Sequence, residues 1–189
     1  PAFGAMTAAL TAAGGGTLRA GDGVYGLRRT LELPAGVSLE MSPGAVLRAL
    51  EGFEGEALVQ TRPGETYEDQ SIRGGTLDAA CQPLVGLRTC KGRRVLVAEL
   101  LVRDALAKGI HVGSEGHYEV NLSDVRCRVR EGVRAAAGSI GVHYDRCGDS
   151  LVRGVVVIGY ETCFRSDSSS NDFQQVHVWN HKDNCPLVT

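Results

Sequence analysis

One hydrophobic pattern recurs along the chain and constrains its fold more than any other feature. Apolar or small residues stand at a first position, three residues later and five residues later, and the first positions recur at intervals of 21–30 residues. The copies are Ile72/Gly75/Leu77, Val97/Leu100/Val102, Leu122/Val125/Cys127, Val152/Val155/Val157 and Phe173/Val176/Val178. A period of this length is typical of a solenoid, in which each coil buries its apolar side only against its neighbours.

A second apolar element follows each of the first four copies and predicts another side of the coil. Its inward residues are Leu87, Ile110, Val142 and Phe164. Since side chains alternate along a strand, these four residues are expected to form one buried column with a spacing of about 4.8 Å. The irregular interval between copies is expected where loops of different length leave one face.

The repeat determines how the "VRCRVR" segment is interpreted. Cys127 is predicted to lie inside the solenoid as a small apolar side chain. Arg126, Arg128 and Arg130 then form the outward side of one strand, not a nucleic-acid patch.

The start of the chain predicts a short helix followed by closely turning strands. Residues 1–13 place Phe3, Met6, Leu10 and Ala13 on one helical face, and three glycines then end the helix. Short strands are predicted at 17–20, 24–28, 31–33, 37–41 and 45–49, separated by tight turns without hairpin periodicity.

This opening resembles the entry module of the pectate-lyase-like superfamily, which includes pectate lyases, polygalacturonases and bacteriophage tailspikes. The resemblance is carried by "GGGTLRAGDGVYGLRRTLELPAGVSLEMSPGAVL", in a segment of about a quarter of the chain. It implies an all-β fold, a right-handed single-stranded parallel β-helix with an N-terminal capping helix. The expected organisation is one domain over residues 1–189, with the cap at 1–13 and stacked coils at 14–189. The resemblance also implies carbohydrate as the ligand class, but it transfers no catalytic residue.

Composition excludes several other classes of protein. The 20 basic and 22 acidic residues give a formal charge of −2, which argues against a general nucleic-acid binder. No apolar run is long enough to cross a membrane, and no signal peptide is visible. The six cysteines include no CxxC pair, so zinc-ligand spacing is absent and most are expected to be free thiols.

The candidate site lies on the outward side of the second element. If the four column residues point inward, the residues that follow them point outward: Arg88, His111, His143 and Arg165. Two residues further along, Asp145 and Asp167 are expected beside this ladder. Parallel β-helices bind extended polysaccharides along such a face, and arginine can grip a uronate carboxylate in a bidentate way. We therefore expect Arg88 and His111 to bind substrate, and His143, Arg165, Asp145 and Asp167 to act in catalysis.

Two reactions fit these residues. A lyase would use His143 or Arg165 as a base to remove the proton beside a uronate carboxylate. A hydrolase would use Asp145 and Asp167 as its pair of carboxyl groups. The "NTD", "GHG" and "RIK" motifs of polygalacturonases are missing, and "EGHYE" at 115–119 offers a single Gly–His pair. No metal ligands are assigned, although the carboxylates leave a calcium ion open as a cofactor.

A second group of candidate substrate-binding residues stands near the end of the chain. His177 and Trp179 are predicted to point outward on the last copy of the repeat, and Trp179 is the only tryptophan. An outward tryptophan is suited to stacking on a sugar ring, or to packing under a loop or a partner subunit.

Three functions therefore stay open: an enzyme acting on an acidic polysaccharide, a tailspike or adhesin that binds glycans without cleaving them, and a structural segment of a longer solenoid. Outward Leu101, Val156 and Ile158 favour a homo-oligomer, which would be a trimer for a tailspike. The polysaccharide ligand implies an extracellular or virion-associated location. The "HKDNCPLVT" end contains no capping helix, so a longer native chain or a partner subunit is expected to cover the last coil.

Overall fold

The computed structural model describes residues 2–168 and 170–179, with the side chains of residues 3–113, 119–168 and 170–179. This part contains the helix α1 (Ala2–Ala12) and sixteen strands. The strands are β1 (Gly16–Ala20), β2 (Gly23–Leu33), β3 (Val37–Met41), β4 (Ala45–Thr61), β5 (Tyr67–Glu68), β6 (Ser71–Arg73), β7 (Thr76–Gln82), β8 (Val85–Thr89), β9 (Gly92–Ala98), β10 (Leu101–Ala105), β11 (Lys108–Ser123), β12 (Arg126–Arg128), β13 (Ile140–Gly148), β14 (Leu151–Ile158), β15 (Thr162–Ser166) and β16 (Asp172–Trp179).

The strands wind into a right-handed parallel β-helix of about six turns, which confirms the fold predicted from the repeat. Each coil has three faces. Face A consists of β8, β15 and residues 31–33, 57–61, 108–113 and 140–145. Face B consists of β1, β3, β6 and residues 96–98, 120–123, 151–153 and 172–174. Face C consists of β10, β12 and residues 23–27, 45–49, 76–78, 155–158 and 176–179.

The core is built from columns of apolar side chains that run along the axis. The predicted column of face A is confirmed, and it extends by two rungs to Leu31, Val59, Leu87, Ile110, Val142 and Phe164. Its members are at most 4% exposed. Cys127 lies between Val102 and Val157 in the column of face C and is fully buried, as predicted.

The corner between faces B and C explains the spacing of the repeat. The residue two positions after the start of each copy has a positive φ angle, from 53° to 74°. These residues are Gly74, Glu99, Asp124, Gly154 and Gln175. A residue in the left-handed conformation turns the chain and resets the alternation of the side chains. The residues three and five positions after the start of each copy therefore both point inward.

A glycine column marks a second corner, where face C leads into face A. A Cβ atom on Gly109 would lie 2.4 Å from the Gly141 carbonyl oxygen, and one on Gly86 would lie 2.2 Å from the Val102 side chain. A Cβ atom on Gly141 would lie 2.1 Å from the Val157 side chain. The column therefore lets neighbouring coils approach each other closely just before face A begins.

The N-terminal helix has the predicted position, and its buried side includes Phe3 and Leu10 of the predicted face but not Met6. Phe3 and Leu10 are partly buried against the core, and the Phe3 ring contacts the Tyr25 ring with centroids 5.5 Å apart. Thr7 is buried, whereas Met6 is 44% exposed. The assignment of Met6 to the inner face was therefore wrong, because the helix contacts the first coils through positions 3, 7 and 10.

Other expectations concern the cysteines and the surface. The five described cysteines are free thiols, as expected: Cys81, Cys90, Cys127, Cys147 and Cys163. Leu101, Val156 and Ile158 are partly exposed on the outward side of face C. In the described residues, no helix has the length and apolar character needed to cross a membrane. The expectation about the end of the chain concerns 181–189, which lies outside the described residues.

Candidate active site on face A

The outward side of face A carries one continuous column of polar side chains. Strand register places them on successive rungs in the order Glu32, Gln60, Arg88, His111, His143 and Arg165. The structure thus brings together the four ladder residues that the sequence singled out. Asp145 and Asp167 lie beside them, within reach of the two imidazoles.

The two histidines form the centre of the column. The rings of His111 and His143 are nearly parallel, with centroids 5.0 Å apart and an interplanar angle of 5°. This distance is close to the spacing of neighbouring strands. Both residues are only 7–8% exposed. They point outward, but neighbouring side chains cover them.

His143 is held by a partner at each ring nitrogen. Its Nδ1 lies 2.9 Å from Lys108 Nζ, and its Nε2 lies 2.8 Å from Asp167 Oδ2. An ammonium group can only donate, so Nδ1 accepts from Lys108. The neutral ring therefore carries its proton on Nε2 and donates it to Asp167.

His111 is the less constrained of the two imidazoles. Within the described part of the chain, neither of its buried ring nitrogens has a hydrogen-bond partner, and the nearest carboxylate oxygen, Asp145 Oδ2, is 3.6 Å from Nε2. Burial, together with the positive charges of Lys108 and Arg88, lowers the pKa of His111 to about 4, against the opposing charge of Asp145. His111 is therefore neutral at pH 7.

An arginine stands on each side of the histidine pair. Arg88 forms a 2.9 Å ion pair with Glu56, whose side chain is 82% exposed. Arg165 forms a 3.0 Å ion pair with Asp167. Hydrogen bonds from His143 and Arg165 lower the pKa of the Asp167 carboxyl below its ordinary value. Asp167 is consequently ionised at neutral pH and bridges the two ladder residues.

Lys108 belongs to this site but was missed from the sequence. It lies two residues before inward Ile110, so simple alternation would place it inside the solenoid. Gly109 separates the two residues at the corner, and Lys108 Nζ lies 2.9 Å from Nδ1 of outward-facing His143. Burial and the charge of Arg88 lower the pKa of the Lys108 ammonium, against the opposing charge of Asp145. A glycine stands at the same place in three coils, and this is the sequence signal that could have revealed Lys108 as a residue of the site.

The remaining candidate residues do not join this site. His177 and Trp179 are exposed, but they lie in the part of β16 that belongs to face C. The side chains of the Gly–His pair in "EGHYE" lie outside the described ones. Among described side chains, no group of three or more His, Cys, Asp or Glu is arranged to hold a metal ion, so no ligands can be named for calcium.

Comparison with known proteins finds the same fold in several solved structures. No family model and no curated protein sequence matches this chain. A candidate glycosyl hydrolase from Parabacteroides merdae has a TM-score of 0.72 at 16% identity, over 92% of this chain and 85% of that protein.

The A-modules of two mannuronan C-5 epimerases from Azotobacter vinelandii are also similar. Their TM-scores are 0.72 and 0.56 at 20% and 16% identity, over 91% and 93% of this chain. The match spans only 52% and 57% of the epimerase modules. At these identities the likeness establishes the fold alone.

Proposed function

We propose that face A binds an acidic polysaccharide and transfers a proton at the carbon beside a uronate carboxylate. The observation that carries the proposal is the stacked histidine pair, which is flanked on its column by Arg88 and Arg165 and contacted by Lys108. The column is linear and repeats about every 4.8 Å, which suits a linear sugar chain. Two of the structural neighbours are named mannuronan C-5 epimerases, and mannuronan is a polymer of uronate sugars.

The cations of face A would bind the carboxylates of the polymer. Arginine matches a carboxylate with two parallel hydrogen bonds, and Arg88 and Arg165 both reach the column surface. The present partner of Arg88, Glu56, is largely exposed, and such surface pairs contribute little free energy. A uronate carboxylate can therefore replace Glu56 at small cost.

His111 is the group best suited to remove the proton. Its imidazole is neutral, and the positive groups around it help to hold its pKa near 4. A bound carboxylate would offset these charges and raise the pKa of His111 towards neutrality, where general bases work best. The electron pair left on carbon would be stabilised through the carboxylate held by the cations. His143 and Asp167 would hold Lys108 in position, and Asp145 would stabilise the protonated His111.

Two outcomes complete such a reaction. Expulsion of the linked sugar oxygen would give an unsaturated uronate, as in a lyase, whereas return of a proton to the other side of the carbon would give the epimer. A hydrolase using Asp145 and Asp167 is less favoured, because its acid needs a raised pKa and that of Asp167 is lowered. A tailspike or adhesin on the same surface would bind without turnover. For each of these functions we propose an extracellular or virion-associated location.

The test is a panel of acidic polysaccharides, including polygalacturonate and polymannuronate, with neutral polymers for comparison. Ultraviolet absorbance detects unsaturated uronate, reducing ends detect hydrolysis, and deuterium uptake from heavy water detects epimerisation. We expect Arg165→Ala to weaken binding about tenfold, as for loss of a charge-assisted hydrogen bond. His111→Gln should bind nearly normally and lose about 100-fold or more in proton transfer.

Arg153→Ala is the matched control, since Arg153 is an exposed arginine on face B. It removes the same charge and should leave both binding and turnover unchanged. Unaltered affinity in Arg165→Ala together with unaltered turnover in His111→Gln would refute the role of face A. Binding without any turnover would refute the enzymatic function and favour a tailspike or adhesin that only binds the polysaccharide.

A further inference from the structure

Face C carries a cavity that is separate from the histidine column. The cavity has a volume of about 210 Å³ and is lined by Arg48, Arg103, Asp104, Arg128 and Arg130. Arg48, Arg103 and Arg128 stand on one outward column, in register through Asp78, which occupies the rung between the first two. Guanidinium groups from neighbouring coils therefore converge on one opening.

Two buried carboxylates hold three of these arginines in place. Asp78, which is 1% exposed, accepts hydrogen bonds from Arg48 at 2.8 Å and Arg103 at 2.7 Å. Burial alone would raise the pKa of Asp78, but these bonds and one from the Ala80 N–H outweigh it and lower the pKa. Asp78 thus fixes the positions of Arg48 and Arg103 before any ligand binds.

Asp104 plays the same part for Arg130. It is 2% exposed and accepts hydrogen bonds from Arg130 Nε at 2.9 Å, from the guanidinium NH2 at 2.6 Å and from the backbone N–H at 2.9 Å. These bonds raise the pKa of the Arg130 guanidinium, which stays charged. A built-in carboxylate therefore orients this arginine also.

The cavity keeps an excess of positive charge after this pairing. Four arginines face two carboxylates, which leaves two positive charges. Arg128 is exposed, and its guanidinium forms no hydrogen bond or ion pair with the described side chains. Preorganised arginines with an unpaired neighbour favour an anionic group with several acceptor oxygens, such as a carboxylate or a sulfate.

The same outward column leads from the cavity to the only tryptophan. Arg128 is in register with Ile158, and Ile158 is in register with Trp179. Trp179 is 64% exposed, and its backbone carbonyl oxygen accepts a 3.1 Å hydrogen bond from the Gly159 N–H. Two rungs correspond to roughly 10 Å along the axis. An anion site and an exposed aromatic ring thus share one linear track.

We propose that this track is a second binding site for an acidic polysaccharide, in which the arginine cavity takes a carboxylate or sulfate and Trp179 stacks on a sugar ring. It has the ligand class of the proposed function but none of the residues of face A. The combination of anion site and aromatic ring favours a charged sugar chain over a simple anion, which would use the cavity alone. The site would hold a polymer on the protein independently of turnover.

Tryptophan fluorescence provides a direct test, because the single tryptophan reports on face C and not on face A. An oligogalacturonate, a sulfated oligosaccharide of equal length, a neutral oligosaccharide, inorganic sulfate and a single-stranded oligonucleotide are titrated into the protein. We expect the two charged oligosaccharides to change the fluorescence, with the better of them identifying the anion. Arg128→Ala should weaken this binding about tenfold and Arg128→Glu more strongly, while Arg153→Ala should leave it unchanged.

Several outcomes would overturn the proposal. Arg128→Ala and the parent protein could bind with equal affinity, or inorganic sulfate could bind as tightly as the charged oligosaccharides. The oligonucleotide could bind more tightly than the oligosaccharides, or the signal could depend on protein concentration, which would indicate a second copy of the chain on face C. The variants His111→Gln and Arg165→Ala separate this site from face A. Both should keep the full fluorescence response, whether or not face A proves to be a catalytic site.

Discussion

His111 shows at the scale of one residue how stacking on a neighbouring coil changes acid–base behaviour. The imidazole is 8% exposed, stacks on His143 and lies near the cations of face A. Its pKa is therefore about 4, against an ordinary value of 6.5. As the pH falls, the same residue in an unfolded chain therefore binds its proton at a pH about 2.5 units higher than in the folded chain.

This difference predicts a pH-dependent stability. Between about pH 6.5 and 4 the unfolded chain binds a proton at His111 and the folded chain does not, so the free energy of unfolding should fall as the pH falls, by up to about 1.4 kcal/mol per pH unit. His111→Gln should remove this contribution. Urea denaturation at a series of pH values checks it, with His177→Gln on exposed face C as the control. Identical pH slopes in His111→Gln and the parent protein would contradict the prediction.

The corners between strands determine how each element meets the next. Positive-φ residues such as Glu99 and Asp124 turn face B into face C, and the glycine column leads face C into face A. The first group adopts a positive φ angle, which most residues with a side chain disfavour. The glycines permit a close approach of neighbouring coils that a Cβ atom would block. The corners, more than the strands, therefore decide which side chains reach each surface.

The glycine column gives a prediction for this scale. Gly109→Ala would place a Cβ atom 2.4 Å from a backbone oxygen of the next coil, which cannot move without shifting the coil. We expect a loss of at least about 2 kcal/mol in the free energy of unfolding, as for overpacked cores. Gly21→Ala is the control, because a Cβ atom there meets nothing within 4 Å. Chemical denaturation of both variants measures the difference, and equal stability would show that the coils adjust freely.

Across the whole molecule, stability comes from contacts between neighbouring coils. Interior rungs are covered on both sides, and Val152 and Val155 are fully buried. On the last described rung Phe173 is 42% exposed and Val176 is partly buried. In a solenoid the free energy is roughly a sum over coils and their interfaces, so equal changes should cost less on that rung.

Two matched variants test this gradient. Val155 and Val176 are register neighbours in one column. Val155→Ala should lower the free energy of unfolding by about 2 kcal/mol, from two lost methyl groups and the cavity they leave. Val176→Ala should cost less than half as much. Urea midpoints of the two variants give the comparison, and equal losses would mean that the last described rung is as well packed as the interior.

The regular part of the candidate site was predictable because it follows the repeat. Once Ile110 and Val142 are assigned to the core, His111 and His143 must point the other way and lie on adjacent coils. Their burial was not predictable, because the covering groups come from other positions. The prediction that Met6 is buried was wrong for a related reason, since helical spacing alone does not show which side of a helix contacts the first coil.

The solenoid, its inward columns and the order of the outward ladder follow from the amino-acid sequence alone, because each depends only on local periodicity and on parallel stacking. The folded chain was needed to show that Lys108 contacts His143, that four arginines converge on one cavity, and that Trp179 belongs to face C. These contacts join positions at corners and on different coils. The intervals between coils vary from 21 to 30 residues, so no constant spacing along the chain encodes them. The packing of each coil against its neighbours sets where such side chains meet.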